Sequence, residues 1–208
     1  MPVLNDKDIY MAIADRRLNI APLIRNNVQP GSVDLTLFHE LEVMELPSKI
    51  DLSTSSDELK SYRKIIDIPE DGYELKPGAT VIGRSAELLK LPQNVVGMLS
   101  NRNSLTMVGL NAAISTFANP GFKGRKTIVI HNFGSATLTL RTGMRICQIS
   151  FFSMSGNSLR GYEERHDEAL LEHFTQIDFP NLRASVQNID NSLSDFLNES
   201  IRRAAARK

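Results

Sequence analysis

The sequence consists mainly of short strand-like runs that are separated by turn signals. The clearest runs are RKIIDI, YEL, ATVIGRS, NVVGMLS, TIVIHNF, ATLTLRT and RICQISFF. Turn pairs such as Pro77-Gly78, Pro120-Gly121 and Thr142-Gly143 lie between them. Strands this short and this closely spaced, with few helical stretches, are typical of antiparallel barrels and jelly rolls. We therefore predict a mainly β fold, a distorted β-barrel or jelly roll with short helices.

Local patterns add two short helices and one longer strand to this body. Residues 6–15 favour an amphipathic helix that is capped by Asn5. A second helical stretch covers residues 103–109 and ends in a glycine. In SVDLTLFHELEVM, apolar residues alternate with polar ones from Val33 to Leu37, which predicts a strand that is buried on one face only.

The last part of the chain has a different periodicity. From residue 181 onward, apolar residues follow a 4-3-4-3 spacing that puts them on one narrow seam of a helix. They are Leu182, Val186, Ile189, Leu193 and Phe196. We expect a β domain over residues 1–176 and a C-terminal amphipathic helix in an extension over residues 177–208. Docking of this helix on the body and bundling with copies of itself both remain open, and binding of a protein partner is a further use of the same seam.

The overall composition excludes several classes of protein. A 41% share of hydrophobic residues is enough for a core, which excludes wholesale disorder. No apolar run reaches the ~18 residues that a membrane-spanning helix needs. Since the N-terminus also lacks the form of a signal peptide, we predict a cytoplasmic protein with no membrane contact. The single cysteine excludes an internal disulfide and a multi-cysteine zinc site, and with it the zinc-dependent nucleobase deaminases.

Charge is distributed unevenly along a chain that is neutral as a whole. Lysine plus arginine and aspartate plus glutamate both number 24, so there is no general attraction to nucleic acid. Between Leu88 and Tyr162 the chain has no Asp or Glu, while it has the cations Lys90, Arg102, Lys123, Arg125, Lys126, Arg141, Arg145 and Arg160. Such a stretch either suits an anionic ligand or pairs with carboxylates from the acidic remainder of the chain.

Four strings resemble one known family in their order and spacing. They are VQPGSVDL, AELLKLPQNVVGMLSNRNSLTMVGL, NPGFKG and LRTGMRICQISF. Over residues 4–152 the chain is similar to the dCTP deaminase branch of the dCTP deaminase/dUTPase superfamily. The resemblance implies a distorted β-barrel of the dUTPase-like type and a homotrimer with nucleotide sites where subunits meet. It also implies metal-independent deamination of cytosine nucleotides or hydrolysis of dUTP to dUMP, with Mg²⁺ accompanying the triphosphate and no zinc.

One part of the family's site is retained. Family members place an Arg-Ser-Ser or Arg-Ser-Gly triplet on the triphosphate, and the matching triplet here is Arg102-Asn103-Ser104. Arg102 keeps the planar guanidinium that suits phosphate oxygens, and Ser104 keeps a hydroxyl donor at the start of a short helix. Asn103 can still donate through its amide. A surface or interface salt bridge is the alternative role of Arg102.

The catalytic part of the site departs from the family. The deaminases carry a second Arg after the triplet, where this chain has Met107, a residue that we expect to fill the core. Their Asp near the sugar and the reaction centre corresponds to Asn119, and the Glu that shuttles protons corresponds to Val129. Neither replacement is a general base near neutral pH. Standard deamination is therefore doubtful, although Asn119 remains a candidate for contacting the nucleotide.

Two further residues are candidates for the site. His131 shares a strand face with Val129, about 7 Å along the strand, and is the one candidate for a substitute base or a phosphate contact on that face. Its alternative role is a strand histidine that is hydrogen-bonded at a subunit contact. Gln148 lies where family members often have a glutamine near the nucleotide, or else it bonds a neighbouring strand. The other histidines lack the spacing of a metal site, so we predict no metal ligands.

These observations leave three functions open. The first is an enzyme that deaminates dCTP or hydrolyses a nucleoside triphosphate. The second is a catalytically inactive trimeric relative that binds a deoxynucleoside triphosphate (dCTP or dUTP) as a sensor or regulatory subunit. The third is a trimeric scaffold that uses the C-terminal helix to bind a partner. The retained triplet favours a nucleotide-binding protein of deoxypyrimidine nucleotide metabolism, while the replaced carboxylates leave its status as an enzyme uncertain.

Overall fold

The structure is a computed structural model that describes residues 2–51, 55–114, 116–158 and 162. In this part of the chain the helices are α1 Asp6–Ala14, α2 Ser56–Ser61 and α3 Asn103–Thr106, with a 3-10 turn at Arg25–Asn27. The strands are β1 Asn19–Ala21, β2 Val28–Gln29, β3 Ser32–Met44, β4 Arg63–Asp67, β5 Tyr73–Leu75, β6 Thr80–Lys90, β7 Val95–Asn101, β8 Leu110–Asn111, β9 Phe117–Ala118, β10 Lys123–Asn132, β11 Leu138–Leu140 and β12 Arg145–Ser153. Each strand-like run of the sequence coincides with one of these strands, which confirms the mainly β prediction.

Most of the strands form one antiparallel sheet that curls into half a barrel. Among the described residues, the order along its main path is β8-β10-β6-β3-β12-β7-β9. β1 pairs with β6, β2 and β4 pair with β3, and β5 pairs with β11 in a separate two-stranded sheet. The longest strand, β3, therefore lies between two strands that come much later in the chain.

Apolar side chains from these strands form the core, and α1 packs against it. Ile130 and Phe151 are fully buried, as is Ile9 of α1. Burial of one such side chain stabilises the fold by about 1.5–3 kcal/mol. The start of α1 is fixed as predicted, because the side chain of Asn5 accepts a hydrogen bond from the backbone N–H of Asp8 at 2.9 Å.

The first half of β3 is buried on both faces, so the prediction of one-sided burial was wrong there. All residues from Ser32 to Leu37 are buried, including Asp34 and Thr36. Thr36 donates from its backbone N–H and its hydroxyl to the carboxylate of Glu87 on β6, at 3.0 Å and 2.7 Å. Polar side chains are stable at these buried positions because other strands provide their hydrogen-bonding and ionic partners.

The chain divides into two compact units. The first comprises Met1–Glu45 and Tyr62–Glu168, and it contains every strand of the described residues. The second comprises Leu46–Ser61 and Ala169–Lys208, and its described part carries α2. The predicted C-terminal helix and the extension over residues 177–208 lie outside the described residues, so both stay predictions. In the described ranges, no helix is long and apolar enough to span a membrane.

Candidate anion-binding site

An open cleft of about 370 Å³ lies where β3 and β12 meet the start of α3. Its lining is polar and consists of Gln29, Asp34, Arg102, Asn103, Ser104, Arg145 and Gln148. Four of these residues are the predicted phosphate-binding candidates Arg102, Asn103, Ser104 and Gln148. The structure brings these four side chains together in one cavity, while their role toward a ligand stays a prediction.

Strand pairing explains why residues so far apart in the sequence meet here. β12 lies between β3 and β7, and Gln148 is the register partner of both Asp34 on β3 and Ser100 on β7. β7 ends at Asn101, and Arg102 follows in an extended conformation as the N-terminal cap of α3. The rest of the triplet forms the first turn of α3, so the whole triplet lies beside β12.

Asp34 is the electrostatic centre of the cleft. Its side chain is only 5% exposed, and its Oδ2 atom lies 3.2 Å from Nη1 of Arg145 and 3.5 Å from Nε of Arg102. Arg102 also donates from Nη1 to the backbone carbonyl of Arg145 at 3.2 Å. Arg102 thus makes a salt bridge and lines the cleft at the same time. With two arginines and one aspartate, the lining residues carry a formal charge of +1.

Asp34 and Arg145 are members of the site that sequence reasoning missed. Asp34 belongs to the string VQPGSVDL and Arg145 to the carboxylate-free stretch, and 111 positions separate the two residues. The signal that points to them is a charged residue on each strand, Asp34 among the apolar residues of β3 and Arg145 at the start of β12. That signal is useful only once the register of β3 against β12 is known, and no local pattern determines this register.

Gln148 and Gln29 contribute amide groups to the cleft. Gln148 accepts a hydrogen bond at Oε1 from the hydroxyl of Ser32 at 3.3 Å. Gln29 donates from Nε2 to the backbone carbonyl of Asn26, also at 3.3 Å. With Oε1 engaged by Ser32, the amide nitrogen is the part of Gln148 that can donate to an anion.

The other predicted residues do not line the cleft of the same chain, among the residues that the structure describes. Asn119 lies in the turn before β10, where its carbonyl accepts from the backbone N–H of Phe122 at 3.0 Å. On β10, Val129 and His131 are both half-buried, while the residues that alternate with them are buried. This pattern confirms that Val129 and His131 share one strand face.

His131 makes two local contacts on that face. Its Nδ1 atom lies 2.6 Å from the hydroxyl oxygen of Thr80 on the neighbouring strand β6. Its ring also packs edge-on against the ring of Phe133, with centroids 4.0 Å apart. These contacts agree with the alternative role of a hydrogen-bonded strand histidine, and they hold the imidazole in one orientation.

Met107 is 87% exposed, so the expectation that it fills the core was wrong. It follows α3 as the C-terminal cap, and none of the four residues of this short helix is buried. Because the helix lies on the surface, the residue that follows it faces solvent as well. The position that we align with the family's second arginine therefore carries an uncharged, exposed side chain.

Buried titratable groups lie on the core side of β12 and on the strands near it. Cys147 is fully buried, and this burial, reinforced by the nearby Glu87 carboxylate, raises the pKa of its thiol to about 12. Burial also lowers the pKa of Lys126 on β10. Because desolvation is the main cause of both shifts, we assign these groups to the core rather than to the chemistry of the cleft.

A second group of polar side chains lies on the β3–β4 ladder. His39, Glu40 and Asp67 place potential metal-ligating atoms within 4.8 Å of one another. Nδ1 of His39 is 3.0 Å from Oδ1 of Asp67, and these two side chains are 51% and 81% exposed. Since exposed ion pairs of this kind are common without a metal, we assign no metal to them.

Comparison with known proteins identifies the family of the chain. Residues 3–154 match the family model that is described as dCTP deaminase-like. The curated protein "dCTP deaminase, dUMP-forming" of Dictyoglomus turgidum is 32% identical over 167 residues, which cover 78% of this chain and 86% of that protein. The protein of the same name from Sulfurihydrogenibium sp. is 33% identical over 165 residues, which cover 79% and 91% of the two chains.

A solved structure shows the same fold. The crystal structure of 2′-deoxycytidine 5′-triphosphate deaminase from Agrobacterium tumefaciens matches with a TM-score of 0.57 and 24% identity. The match covers 78% of this chain and 51% of the other, so this chain spans about half the length of that protein. The likeness confirms the predicted fold type. On the family model and the curated relatives, the chain belongs to the dCTP deaminase-like family, as the four strings of its sequence indicated.

Proposed function

We propose that this chain is a nucleotide-binding protein of deoxypyrimidine nucleotide metabolism that binds dCTP or dUTP as a homotrimer and lacks standard deamination. The observation that carries the proposal is the meeting of Arg102, Asn103, Ser104 and Gln148 in one cleft whose lining is net positive. Two curated relatives are named for dCTP, which supports the choice of nucleotide.

The cleft offers the donors that a triphosphate needs. A guanidinium presents several N–H groups in one plane and can bind two phosphate oxygens at once. The hydroxyl of Ser104 and the amides of Asn103 and Gln148 add neutral donors around Arg102. A hydrogen bond to a charged group contributes about 1.5–3 kcal/mol, so the loss of Arg102 alone is expected to weaken binding about tenfold or more.

The proposed lack of deamination follows from the side chains that replace the family's carboxylates. Deamination adds water to C4 of the cytosine ring, transfers one proton of that water to N3 and the other to the amino group, and releases ammonia. A side chain that takes and returns these protons contributes about 10²–10⁴-fold to the rate. The isopropyl side chain of Val129 cannot take a proton. Between Leu88 and Tyr162 the sequence has no carboxylate that a shifted alignment would bring to this position.

The trimer and the magnesium ion belong to the same proposal. Asn119, a candidate for contacting the nucleotide, does not line the cleft of its own chain, which fits a site that a neighbouring subunit completes. Among the described residues, Asp34 is the one carboxylate that lines the cleft, and two arginines pair with it. Magnesium is commonly held by one or two carboxylates together with phosphate oxygens and water. A magnesium ion would therefore accompany the triphosphate rather than occupy a protein cage.

The test combines binding with product analysis. Isothermal titration of the full-length protein with dCTP, dUTP and deoxycytidine, in the presence of Mg²⁺, measures binding of the triphosphates against a nucleoside that has no phosphate. The variant Arg102→Gln is compared with Arg17→Gln, which removes an exposed arginine whose partner Asp15 is also exposed. Chromatography after long incubation then measures conversion to dUTP or dUMP.

We expect saturable binding of a triphosphate, no measurable binding of deoxycytidine and no product above a protein-free control. Arg102→Gln is expected to weaken binding about tenfold or more, while Arg17→Gln leaves it unchanged. Absence of nucleotide binding, or equal affinity of the Arg102→Gln variant and the wild type, would contradict the binding site. Appearance of dUTP or dUMP would contradict the lack of deamination and make His131 the first residue to replace.

A further inference from the structure

We infer that Arg145 supplies the second cationic contact of the anion site and that Asp34 is a positioning residue that orients Arg145 and Arg102 together. The inference rests on the proposed function, since it names residues that would hold the triphosphate.

The three side chains form a connected unit at the bottom of the cleft. Both guanidiniums meet the same oxygen, Oδ2 of Asp34, at 3.2 Å from Arg145 and 3.5 Å from Arg102. Nη1 of Arg102 also bonds the backbone carbonyl of Arg145. The aspartate side chain is 5% exposed, while those of Arg102 and Arg145 are 24% and 44% exposed. The carboxylate thus lies deepest, and both guanidiniums extend from it toward solvent.

This arrangement leaves donors on both arginines for an anion. A guanidinium has five N–H groups, and the contacts to Asp34 and to the carbonyl use only some of them. Two guanidiniums this close repel one another, and the carboxylate between them offsets that repulsion. The unit keeps one positive charge in excess, which an added phosphate group can neutralise.

A positioning role of Asp34 and simple electrostatics predict opposite changes in anion affinity when Asp34 is removed. If charge alone decides the affinity, removal of a negative charge makes the cleft bind anions more tightly. If Asp34 orients the two guanidinium groups, its removal lets them move apart and weakens binding despite the added positive charge. The direction of the change therefore separates a positioning role from a purely electrostatic one.

The experiment uses the full-length protein and two probes, dCTP and inorganic tripolyphosphate, which has no base or sugar. The variants are Arg145→Gln, Arg145→Lys, Arg102→Gln and Asp34→Asn. The matched controls are Arg17→Gln and Asp15→Asn, which break an exposed Arg–Asp pair whose side chains are 63% and 57% exposed. Affinity is measured by titration at two salt concentrations, and thermal unfolding verifies that each variant is folded.

We expect Arg145→Gln to weaken the binding of both probes about tenfold or more, as Arg102→Gln does, and to reduce the salt dependence of the affinity. Asp34→Asn is expected to weaken the binding of both probes about threefold or more, while the two controls leave both affinities unchanged. Arg145→Lys keeps the charge but not the planar donors, so it is expected to bind several-fold more weakly than the wild type. Because Arg145→Lys leaves the buried carboxylate in place, it tests orientation even if Asp34→Asn does not fold.

The possible results separate this inference from the proposed function. If the wild type binds neither probe, or if Arg102→Gln leaves the affinity unchanged, the proposed anion site is wrong and so is this inference. If Arg102→Gln weakens binding while Arg145→Gln has the affinity of Arg17→Gln, the anion site is supported and the role of Arg145 is overturned. Tighter or unchanged binding by Asp34→Asn, or wild-type affinity of Arg145→Lys, overturns the positioning role.

Discussion

The cleft beside β12 and the half-buried face of β10 differ in the chemistry of their side chains. The cleft is lined by Arg102 and Ser104, and Arg145 adds a second cation on the strand next to them. On β10 and in the turn before it, Val129 and Asn119 occupy the positions that we align with the carboxylates of the deaminases. The first region has groups that can donate to an anion, while neither Val129 nor Asn119 can act as a general base.

The two regions belong to separate parts of the fold. The cleft is built from β3, β12 and the first turn of α3, and its charged groups are fixed by contacts within one chain. Val129 lies on β10 and does not line this cleft. A change at position 129 therefore leaves the residues that hold the cleft together unchanged.

The largest effect that we expect concerns the rigidity of β12, on which the cleft depends. Cys147 is fully buried there, and burial raises the pKa of its thiol to about 12, compared with 9.0 for an ordinary thiol. Burial thus disfavours the thiolate, which is the form that reacts, and also excludes the reagent. We expect alkylation of native protein by iodoacetamide to be slower than that of urea-unfolded protein by orders of magnitude, because labelling requires β12 to open.

Because the chain has one cysteine, a single modification by mass spectrometry reports on this position alone. Unfolded protein in the same reagent is the control for the intrinsic reactivity of the thiol. Rapid labelling of the native protein would mean that β12 opens readily and that the cleft is not preformed.

The second effect concerns the anchoring of β3 beside the cleft. Glu87 accepts hydrogen bonds from the backbone N–H and the hydroxyl of Thr36, which is the register partner of Arg145. Glu87→Gln replaces a charged acceptor by a neutral one and is expected to lower the free energy of unfolding by about 1.5–3 kcal/mol. Urea unfolding measures this change.

Glu74→Gln on β5 is the matched control, because Glu74 is exposed and its replacement is expected to change stability by less than about 0.5 kcal/mol. If Glu87→Gln were as stable as this control, β3 would not depend on the buried carboxylate. The fixed geometry of the cleft would then need another explanation.

The third effect tests whether the cleft recognises phosphate charge. Affinity is expected to fall in the order dCTP, dCDP and dCMP, by about tenfold for each hydrogen-bonded phosphate that is lost. Competition titrations with the three nucleotides, at constant Mg²⁺ and ionic strength, measure the series. Equal affinity for dCMP and dCTP would place recognition of the nucleotide away from Arg102 and Arg145.

The smallest effect is expected on the β10 face. His131→Ala removes the contact that this half-buried strand histidine makes with Thr80. We expect triphosphate affinity to change by less than about threefold, since the substitution leaves all residues of the cleft in place. The same titration as above measures it. A loss as large as that from Arg102→Gln would show that the β10 face takes part in binding.

Local sequence patterns were sufficient for most of the fold. The alternation in TIVIHNF predicted that Val129 and His131 share a face, because side chains alternate strictly along a strand. The cap at Asn5 was equally clear, since a short polar side chain before an apolar helical pattern has few other roles. Both features depend on residues within a few positions of one another.

Features that depend on strand register were not predicted. The sequence pattern places Asp34 and Thr36 on an exposed strand face. In the fold, β12 brings Arg145 to Asp34 across 111 positions, and β6 brings Glu87 to Thr36. Burial of these polar residues is decided by distant partners, which no local pattern contains. Met107 was misjudged for the opposite reason, since an apolar side chain on a surface helix has no core to enter.

Equilibrium dialysis of the full-length protein against dCTP and Mg²⁺, with chromatography of the nucleotide on both sides of the membrane, tests binding and deamination together. We expect nucleotide to be retained on the protein side in a saturable manner and to be recovered entirely as dCTP. Recovery of dUTP or dUMP above a protein-free control would contradict the loss of proton transfer. Absence of retention would contradict the binding cleft itself.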